Sequence, residues 1–229
     1  MQKADHSGHR SRMKKKYIDN GIDIFEPHEV LEILLYYAVP QKNTNDLAKN
    51  LIAHFGSLSA VFDASISSLM NFGLSEHQAV LMKLIPDVTR KYMTDKYRSA
   101  KGRIPKKKLP DYVFKQFIGL EKEERILLIL MDKTDTIVYS EMIAHGDPDN
   151  VSLNIRKIVA LAAEYSATMA YIAHNHPSGL ALPSKNDVIV TYSLRDALHL
   201  IRVKLADHFL VAGGKCISLV DSGILVFDY

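Results

Sequence analysis

The segment Ala173-His-Asn-His-Pro-Ser-Gly179 decides how the second half of this chain is expected to fold. It ends a short apolar run, residues 169–173, which is typical of a buried strand. Because side chains alternate along a strand, His174 and His176 are predicted to point to the same face. Two imidazoles on one face can bind one transition metal, and Asp187 offers a carboxylate as a third ligand. Three protein ligands leave a fourth position for water, which indicates a catalytic zinc site.

The same residues also have a purely structural interpretation. Histidines at a strand end can be exposed turn residues, and Ser184 followed by Asp187 three residues later fits a helix N-cap. An aspartate in the first turn is also favoured by the helix dipole. Each half of the motif is ambiguous by itself. The joint spacing of the two histidines and Asp187 favours the metal site.

Glu141 is the candidate general base. Residues 137–144 are rich in β-formers and are predicted to form a strand. Alternation places Glu141 on one face with Ile137, Tyr139 and Ile143, where an unpaired carboxylate would be costly to bury. The predicted role is a base beside the metal, hydrogen-bonded to its water. The alternative is that Glu141 lies on a solvated face of the sheet or pairs with a lysine.

Taken together, these residues resemble the motif of the JAMM (MPN+, JAB) metalloproteases. The residues that carry the resemblance are Glu141, His174, His176, Ser184 and Asp187. The sequence of residues 173–179 is similar to the corresponding sequence in the RadC branch of that superfamily. The resemblance implies a metallopeptidase or isopeptidase-like hydrolase with one Zn²⁺ ion bound by the two histidines and the aspartate. It also implies that Glu141 is the general acid and base and that Ser184 stabilises the oxyanion.

Two further features belong to this resemblance. Asp207 and His208 lie on a later predicted strand and resemble a residue pair of the RadC branch. They are predicted to orient a metal ligand without binding the metal themselves. A satisfied pair in the core is the alternative. The loop Leu180-Ala-Leu182 is apolar where RadC proteins usually carry an acidic or glycine- and proline-rich turn. This departure is expected to reshape the rim around the substrate.

Composition excludes several classes of protein. The chain has 229 residues of which 47% are hydrophobic, enough to bury a core. It contains no apolar run of the ~18–20 residues that a membrane span requires, and its start is polar and basic, unlike a signal peptide. The single cysteine, Cys216, excludes an internal disulfide framework. A cytoplasmic location and no membrane partner are therefore expected.

Charge is distributed unevenly along the chain. Residues 1–110 hold eighteen Lys and Arg against eleven Asp and Glu, whereas residues 111–229 hold eleven against fifteen. Basic runs are usually solvated tails or linkers, and the alternative is contact with a polyanion such as DNA. The predicted organisation comprises a basic flexible tail (1–24), a helical domain (25–98), a basic linker (99–110) and a metal-binding MPN/JAB domain (111–229). The fold class is therefore an all-α domain followed by an α/β sandwich with a mixed sheet.

The helical domain resembles a helix-hairpin-helix element, whose turn amides bind a DNA phosphate. The turn lies at residues 72–75, and its second customary glycine is replaced by Ser75. The predicted DNA contacts are Gly73, Ser75, Lys106, Lys107 and Lys108. The alternative is a helical hairpin with an architectural role only.

Three functions are consistent with these features. The first is the metallopeptidase, whose partner is a protein or peptide substrate. The second is a DNA-associated protein of genome maintenance, with the metal domain subsidiary or acting on phosphodiesters. The third is a non-catalytic scaffold. An intact set of ligands argues against the scaffold, because a scaffold does not need an open metal site.

Overall fold

A computed structural model of the protein describes residues 6–40, 43–99, 103–120, 122–146 and 153–227. The chain divides into two compact units, Met1–Asp87 and Val88–Tyr229. The division falls inside a long helix, upstream of the boundary at residue 98 that the sequence predicted. Within the described ranges, no helix is both long and apolar enough to cross a membrane.

The first unit is a set of helices that pack around buried aliphatic side chains. Its helices are α1 (His6–Asn20), α2 (Pro27–Leu35), α3 (Asn45–Phe55), α4 (Leu58–Asp63), α5 (Ile66–Phe72) and the first half of α6 (Glu76–Ser99). Leu31, Leu51 and Leu69 are fully buried in its core. Helix α3 ends at Gly56, whose φ of 93° is the left-handed conformation that glycine adopts without a Cβ clash.

The predicted flexible tail is instead largely helical, because α1 packs on α2. Met13 is buried in a small cluster with Phe25 and Tyr36. The ammonium group of Lys16 lies 3.1 Å from Glu29, and Nε2 of His9 lies 3.0 Å from the buried carboxylate of Glu32. The burial of Met13 and these polar contacts therefore hold a segment whose composition suggested a solvated tail.

The second unit is an α/β sandwich, as the sequence predicted. Its elements are a 3₁₀ turn (Lys106–Lys108), α7 (Leu109–Gln116), β1 (Glu124–Met131), β2 (Ile137–Gly146), α8 (Ile155–Glu164), β3 (Met169–Asn175), α9 (Lys185–Leu200), β4 (Lys204–Ala212) and β5 (Lys215–Ser218). The strands form one sheet in the order β2-β1-β3-β4-β5. Only β3 and β4 are parallel, so the sheet is mixed.

The two faces of the sheet are buried by different helices. On one face α7 packs over Leu127, Ile129 and Tyr171. On the other face α8 and α9 pack over Leu128 and Ile172. Alternation along the central strands β1 and β3 therefore assigns each residue to one of two cores, and β2 remains at an edge of the sheet.

The described part of the predicted linker belongs to this α/β unit. Arg103 forms a β-bridge with Thr136, and its Nε donates to the carbonyl oxygen of Thr134 at 2.8 Å. Ile104 and Leu109 are buried in the core under α7. The lysines between them are exposed, so apolar residues on either side fasten a basic segment to the domain.

Candidate metal centre

His174 and His176 meet at the end of the central strand β3. His174 is buried, and His176 follows the last residue of the strand. Their Nε2 atoms are 3.0 Å apart, which confirms that the two side chains share a face. The site lies on the α9 side of the sheet, because His174 pairs with Ile126 in the register that places Leu128 under α9.

Asp187 brings the third donor atom from the first turn of α9. Its Oδ2 lies 3.6 Å from Nε2 of His174 and 3.8 Å from Nε2 of His176. The circle through the three donor atoms has a radius of about 2.0 Å, close to the Zn–N and Zn–O bond lengths of ~2.0–2.2 Å. The three atoms are therefore spaced as ligands of one small divalent ion.

Ser184 fixes Asp187 through a capping box. The backbone N–H of Ser184 donates to Oδ2 of Asp187 at 2.6 Å, and the N–H of Asp187 donates to Oγ of Ser184 at 3.1 Å. The helix-cap interpretation and the metal interpretation thus hold together: the cap orients the carboxylate that faces the histidines.

A chain of hydrogen bonds behind His174 sets its tautomer. The hydroxyl of Thr191 donates its only proton to the carbonyl oxygen of Asp187 at 2.5 Å. It must therefore accept the bond from Nδ1 of His208 at 2.6 Å, which leaves a lone pair on Nε2 of His208. That atom lies 2.7 Å from Nδ1 of His174, which must then carry the proton. The consequence is a lone pair on Nε2 of His174.

His176 reaches the same state by a shorter route. Its Nδ1 lies 2.9 Å from the carbonyl oxygen of Leu180, an atom that can only accept. Nε2 of His176 therefore also presents a lone pair in the neutral ring. Two lone pairs that face each other at 3.0 Å repel unless a cation lies between them. The donor set of the chain itself thus fits a divalent metal ion.

Electrostatics set the charges of Asp187 and His208. Burial would raise the pKa of Asp187, but hydrogen bonding to a positively charged His174 and the hydrogen bonds from Ser184 hold it well below its usual range, so a cation at Nε2 of His174, whether a proton or a metal ion, stabilises the carboxylate. Burial lowers the pKa of His208 well below 6.5, and the neighbouring His174 lowers it further. Asp187 is therefore an anion and His208 is neutral.

Glu124 is the carboxylate that the structure brings to the histidines. It is buried at the start of β1 and offers an oxygen within 4.8 Å of the ligand atoms of His174 and His176. It precedes Ile126 by two residues and thus faces the same side as His174. The sequence alone does not reveal Glu124, because it lies within the charged run 121–125, before the apolar residues that identify the strand.

Glu141 does not reach this site, which corrects the sequence prediction. It is exposed and pairs with Leu128, four residues along β1 from Glu124, or roughly 13 Å at the rise of a strand. Burial raises the pKa of Tyr139, and the negative charge of the neighbouring Glu141 raises it further. Glu141 is exposed on the edge strand β2, so its carboxylate remains solvated. The alternative of a solvated sheet face is therefore the right one.

Asn175, between the two histidines, holds the backbone on both sides of Glu124. Its side-chain oxygen accepts from the N–H of Arg125 at 2.8 Å. Its amide nitrogen donates to the carbonyl oxygens of Glu123 at 3.0 Å and Leu120 at 3.2 Å. The two peptide groups that flank Glu124 are thus tied to the histidine strand by one buried side chain.

Comparisons with known proteins agree with this geometry. Residues 105–224, more than half of the chain, match the family described as the RadC-like JAB domain. The chain belongs to this family. A UPF0758 protein of Fusobacterium nucleatum subsp. nucleatum is 29% identical over 232 residues, which cover 98% of this chain and 100% of the relative. A UPF0758 protein of Stutzerimonas stutzeri is 30% identical over 213 residues, which cover 93% and 95%.

The family gives the site a general chemical context. JAB domains are often metal-dependent hydrolases, and Glu124, His174 and His176 of this RadC-like domain could hold a metal ion. Ser184 and Asp187 line the same cavity as Glu124 and His176, with a volume of about 600 Å³. The prediction of a JAB α/β domain is confirmed.

Asp207 and His208 of the RadC-like domain have separate environments. His208 supports His174, as described above. Asp207 points to the other face, where its Oδ2 accepts from the hydroxyl of Ser218 at 2.5 Å and its Oδ1 accepts from the N–H of Val220 at 3.2 Å. It therefore links β4 to β5 and to the turn that follows, on the face of the sheet opposite to His208.

The turn predicted to bind DNA lies between α5 and α6, and its amides are already bonded within the chain. The N–H groups of Gly73, Leu74 and Ser75 donate to Met70 O, Leu69 O and Gln78 Oε1 at 2.9, 3.1 and 3.0 Å. A phosphate would have to displace these bonds, which favours the architectural alternative. Residues 106–108 are exposed lysines at the start of α7. DNA contact by either group stays a prediction.

Proposed function

We propose that this RadC-like chain is a zinc-dependent hydrolase of amide bonds, either a peptidase or an isopeptidase. The observation that supports it most directly is the triangle of donor atoms from His174, His176 and Asp187, with the carboxylate of Glu124 beside it. Nitrogen and carboxylate ligands of this number are those of catalytic zinc sites, which keep one position open.

Each residue has a distinct role in the proposed reaction. His174, His176 and Asp187 hold the ion. Zn²⁺, when bound, polarises the substrate carbonyl and lowers the pKa of a water molecule to ~7. Glu124 accepts a proton from the attacking water and transfers it to the leaving amine. Ser184 keeps its own hydroxyl proton while it accepts the N–H of Asp187, and donates that proton in a hydrogen bond to the oxyanion.

A matched pair of variants tests the assignment of the base. Glu124→Gln and Glu141→Gln remove one carboxylate each from the same sheet, and only Glu124 lies beside the histidines. With a proteome-derived peptide library as substrate, we expect Glu124→Gln to retain zinc and lose at least about 100-fold in cleavage rate. Glu141→Gln should match the wild type in both zinc content and rate. Cleavage that survives in Glu124→Gln and fails in Glu141→Gln would reverse the assignment.

Zinc stoichiometry distinguishes Asp187 as a metal ligand from Glu124 as the general base. Asp187→Asn should bind substoichiometric zinc, because the amide carries no charge and its nitrogen has no lone pair for a metal. If Glu124→Gln loses the metal and Asp187→Asn keeps it, Glu124 is the third ligand and the proposed roles are exchanged. A chelator should abolish cleavage by the wild type, and added zinc should restore it.

A further inference from the structure

Two leucines stand exposed on the loop that joins the metal ligands. Leu180 and Leu182 are 60% and 61% exposed, although they lie between His176 and Ser184 in sequence. Both line the cavity of about 600 Å³ that also contains Asp187. Large apolar side chains that remain exposed beside a polar site commonly mark a binding surface.

The residue between the two leucines is the one that packs inward. Ala181, between them, packs against the buried cluster that includes Leu210 and Leu219. Burial alternates along the loop, with Leu180 and Leu182 exposed and Ala181 partly buried. The packing of the middle residue thus keeps its two neighbours in the cavity wall.

Hydrogen bonds fix the same loop to the metal ligands. The N–H of Gly179 donates to the carbonyl oxygen of His176 at 3.0 Å, and the N–H of Leu180 donates to Oγ of Ser178 at 3.3 Å. Nδ1 of His176 donates in turn to the carbonyl oxygen of Leu180 at 2.9 Å. The exposed apolar surface is therefore preorganised, so a ligand need not pay to order it.

We propose that Leu180 and Leu182 form an apolar subsite that selects a large apolar side chain beside the scissile amide of a peptide substrate. This inference rests on the proposed function. Continuity argues for this occupant: the same cavity holds the leucines, Ser184 and Asp187, so a peptide whose carbonyl lies at the metal ligands must pass the leucines. An acidic side chain is disfavoured there, because Glu124 and Asp187 supply carboxylates to the same cavity.

The test compares the cleavage preferences of the wild type with those of Leu180→Gln/Leu182→Gln, each zinc-loaded, on the proteome-derived peptide library. We expect wild-type cleavage sites to be enriched in large apolar residues at one fixed position. The double variant should lose about 10-fold or more of the kcat/KM ratio between matched leucine and serine peptides. Its zinc content should be unchanged, and the loss should fall mainly on the leucine peptide. The control is Ile189→Gln, which removes an apolar side chain on α9 that is 64% exposed and does not line the cavity.

Two outcomes would overturn the subsite: a wild type without apolar preference, or a preference that the double variant retains. Absence of chelator-sensitive cleavage would instead overturn the proposed function. In that case N-acetyl-leucinamide and N-acetyl-serinamide are titrated into zinc-loaded protein while the methyl resonances of Leu180 and Leu182 are followed by NMR. Selective shifts with the leucine compound support the subsite, and equal responses to both compounds refute it.

Discussion

Replacing Thr191 by valine tests the hydrogen-bond chain that directs His174 towards a metal. Among the described residues, the hydroxyl of Thr191 is the group that forces Nδ1 of His208 to carry the proton. Valine has nearly the same shape as threonine, but it lacks the hydroxyl oxygen that accepts the hydrogen bond from His208. His208 can then move its proton to Nε2 and donate to Nδ1 of His174, which places the proton of His174 on Nε2. The metal must displace that proton before it binds.

The expected magnitude follows from two terms. A buried Nδ1–H of His208 without its acceptor costs about 1–3 kcal/mol of folding free energy. The change of tautomer avoids part of that cost, but it places a proton on the nitrogen of His174 that would bind zinc. Loss of a group that orients a metal ligand typically weakens metal affinity by about 10–100-fold. We therefore expect Thr191→Val to bind zinc about 10–100-fold more weakly than the wild type.

The assay is a competition titration of zinc against a chromophoric chelator at pH 7, with Thr191→Ser as the matched control. Serine retains the hydroxyl and loses one methyl group, so its zinc affinity should lie within roughly threefold of the wild type. Thermal unfolding of the metal-free proteins reports the cost to the fold separately. Equal zinc affinities of the valine and serine variants would refute the assignment of tautomers.

Three further predictions concern other parts of the chain. Asn175→Asp replaces the donor to the carbonyl oxygens of Glu123 and Leu120 by an acceptor. We expect kcat on the peptide library to fall at least roughly 10-fold while the zinc stoichiometry is retained. An unchanged kcat would contradict the role of Asn175 in positioning Glu124. In the metal-free protein, the lowered pKa of Asp187 contributes stability that is fully present above the unfolded value of about 3.9 and is lost as pH falls towards the folded value. The difference in unfolding temperature between the wild type and Asp187→Asn should thus shrink as the pH falls below about 4; a difference that grows in acid would contradict this sign. If residues 106–108 bind DNA, their replacement by alanines should weaken duplex binding and reduce its dependence on salt in a fluorescence titration; unchanged binding would exclude the contact.

The sequence determined the features that depend on neighbours along the chain. Alternation on a strand places His174 and His176 on one face, and the spacing of a capping box orients Asp187 at the start of α9. Both are local, so the motif alone predicted three donor atoms that the structure brings within 3.0–3.8 Å. The mixed α/β sandwich was also predictable, because the order of strands and helices restricts the architecture.

Only the tertiary structure decided which carboxylate joins them. Glu124 and Glu141 both lie on strands of the sheet, and the order of the strands places the strand of Glu124 next to β3 and the strand of Glu141 at the edge. The register between β1 and β3 then aligns Ile126 with His174 and brings Glu124 to the ligands from fifty positions upstream. Strands β1 and β3 are not consecutive in the sequence, so no hairpin turn sets their register, and the packing of helices and strands over the two cores decides it.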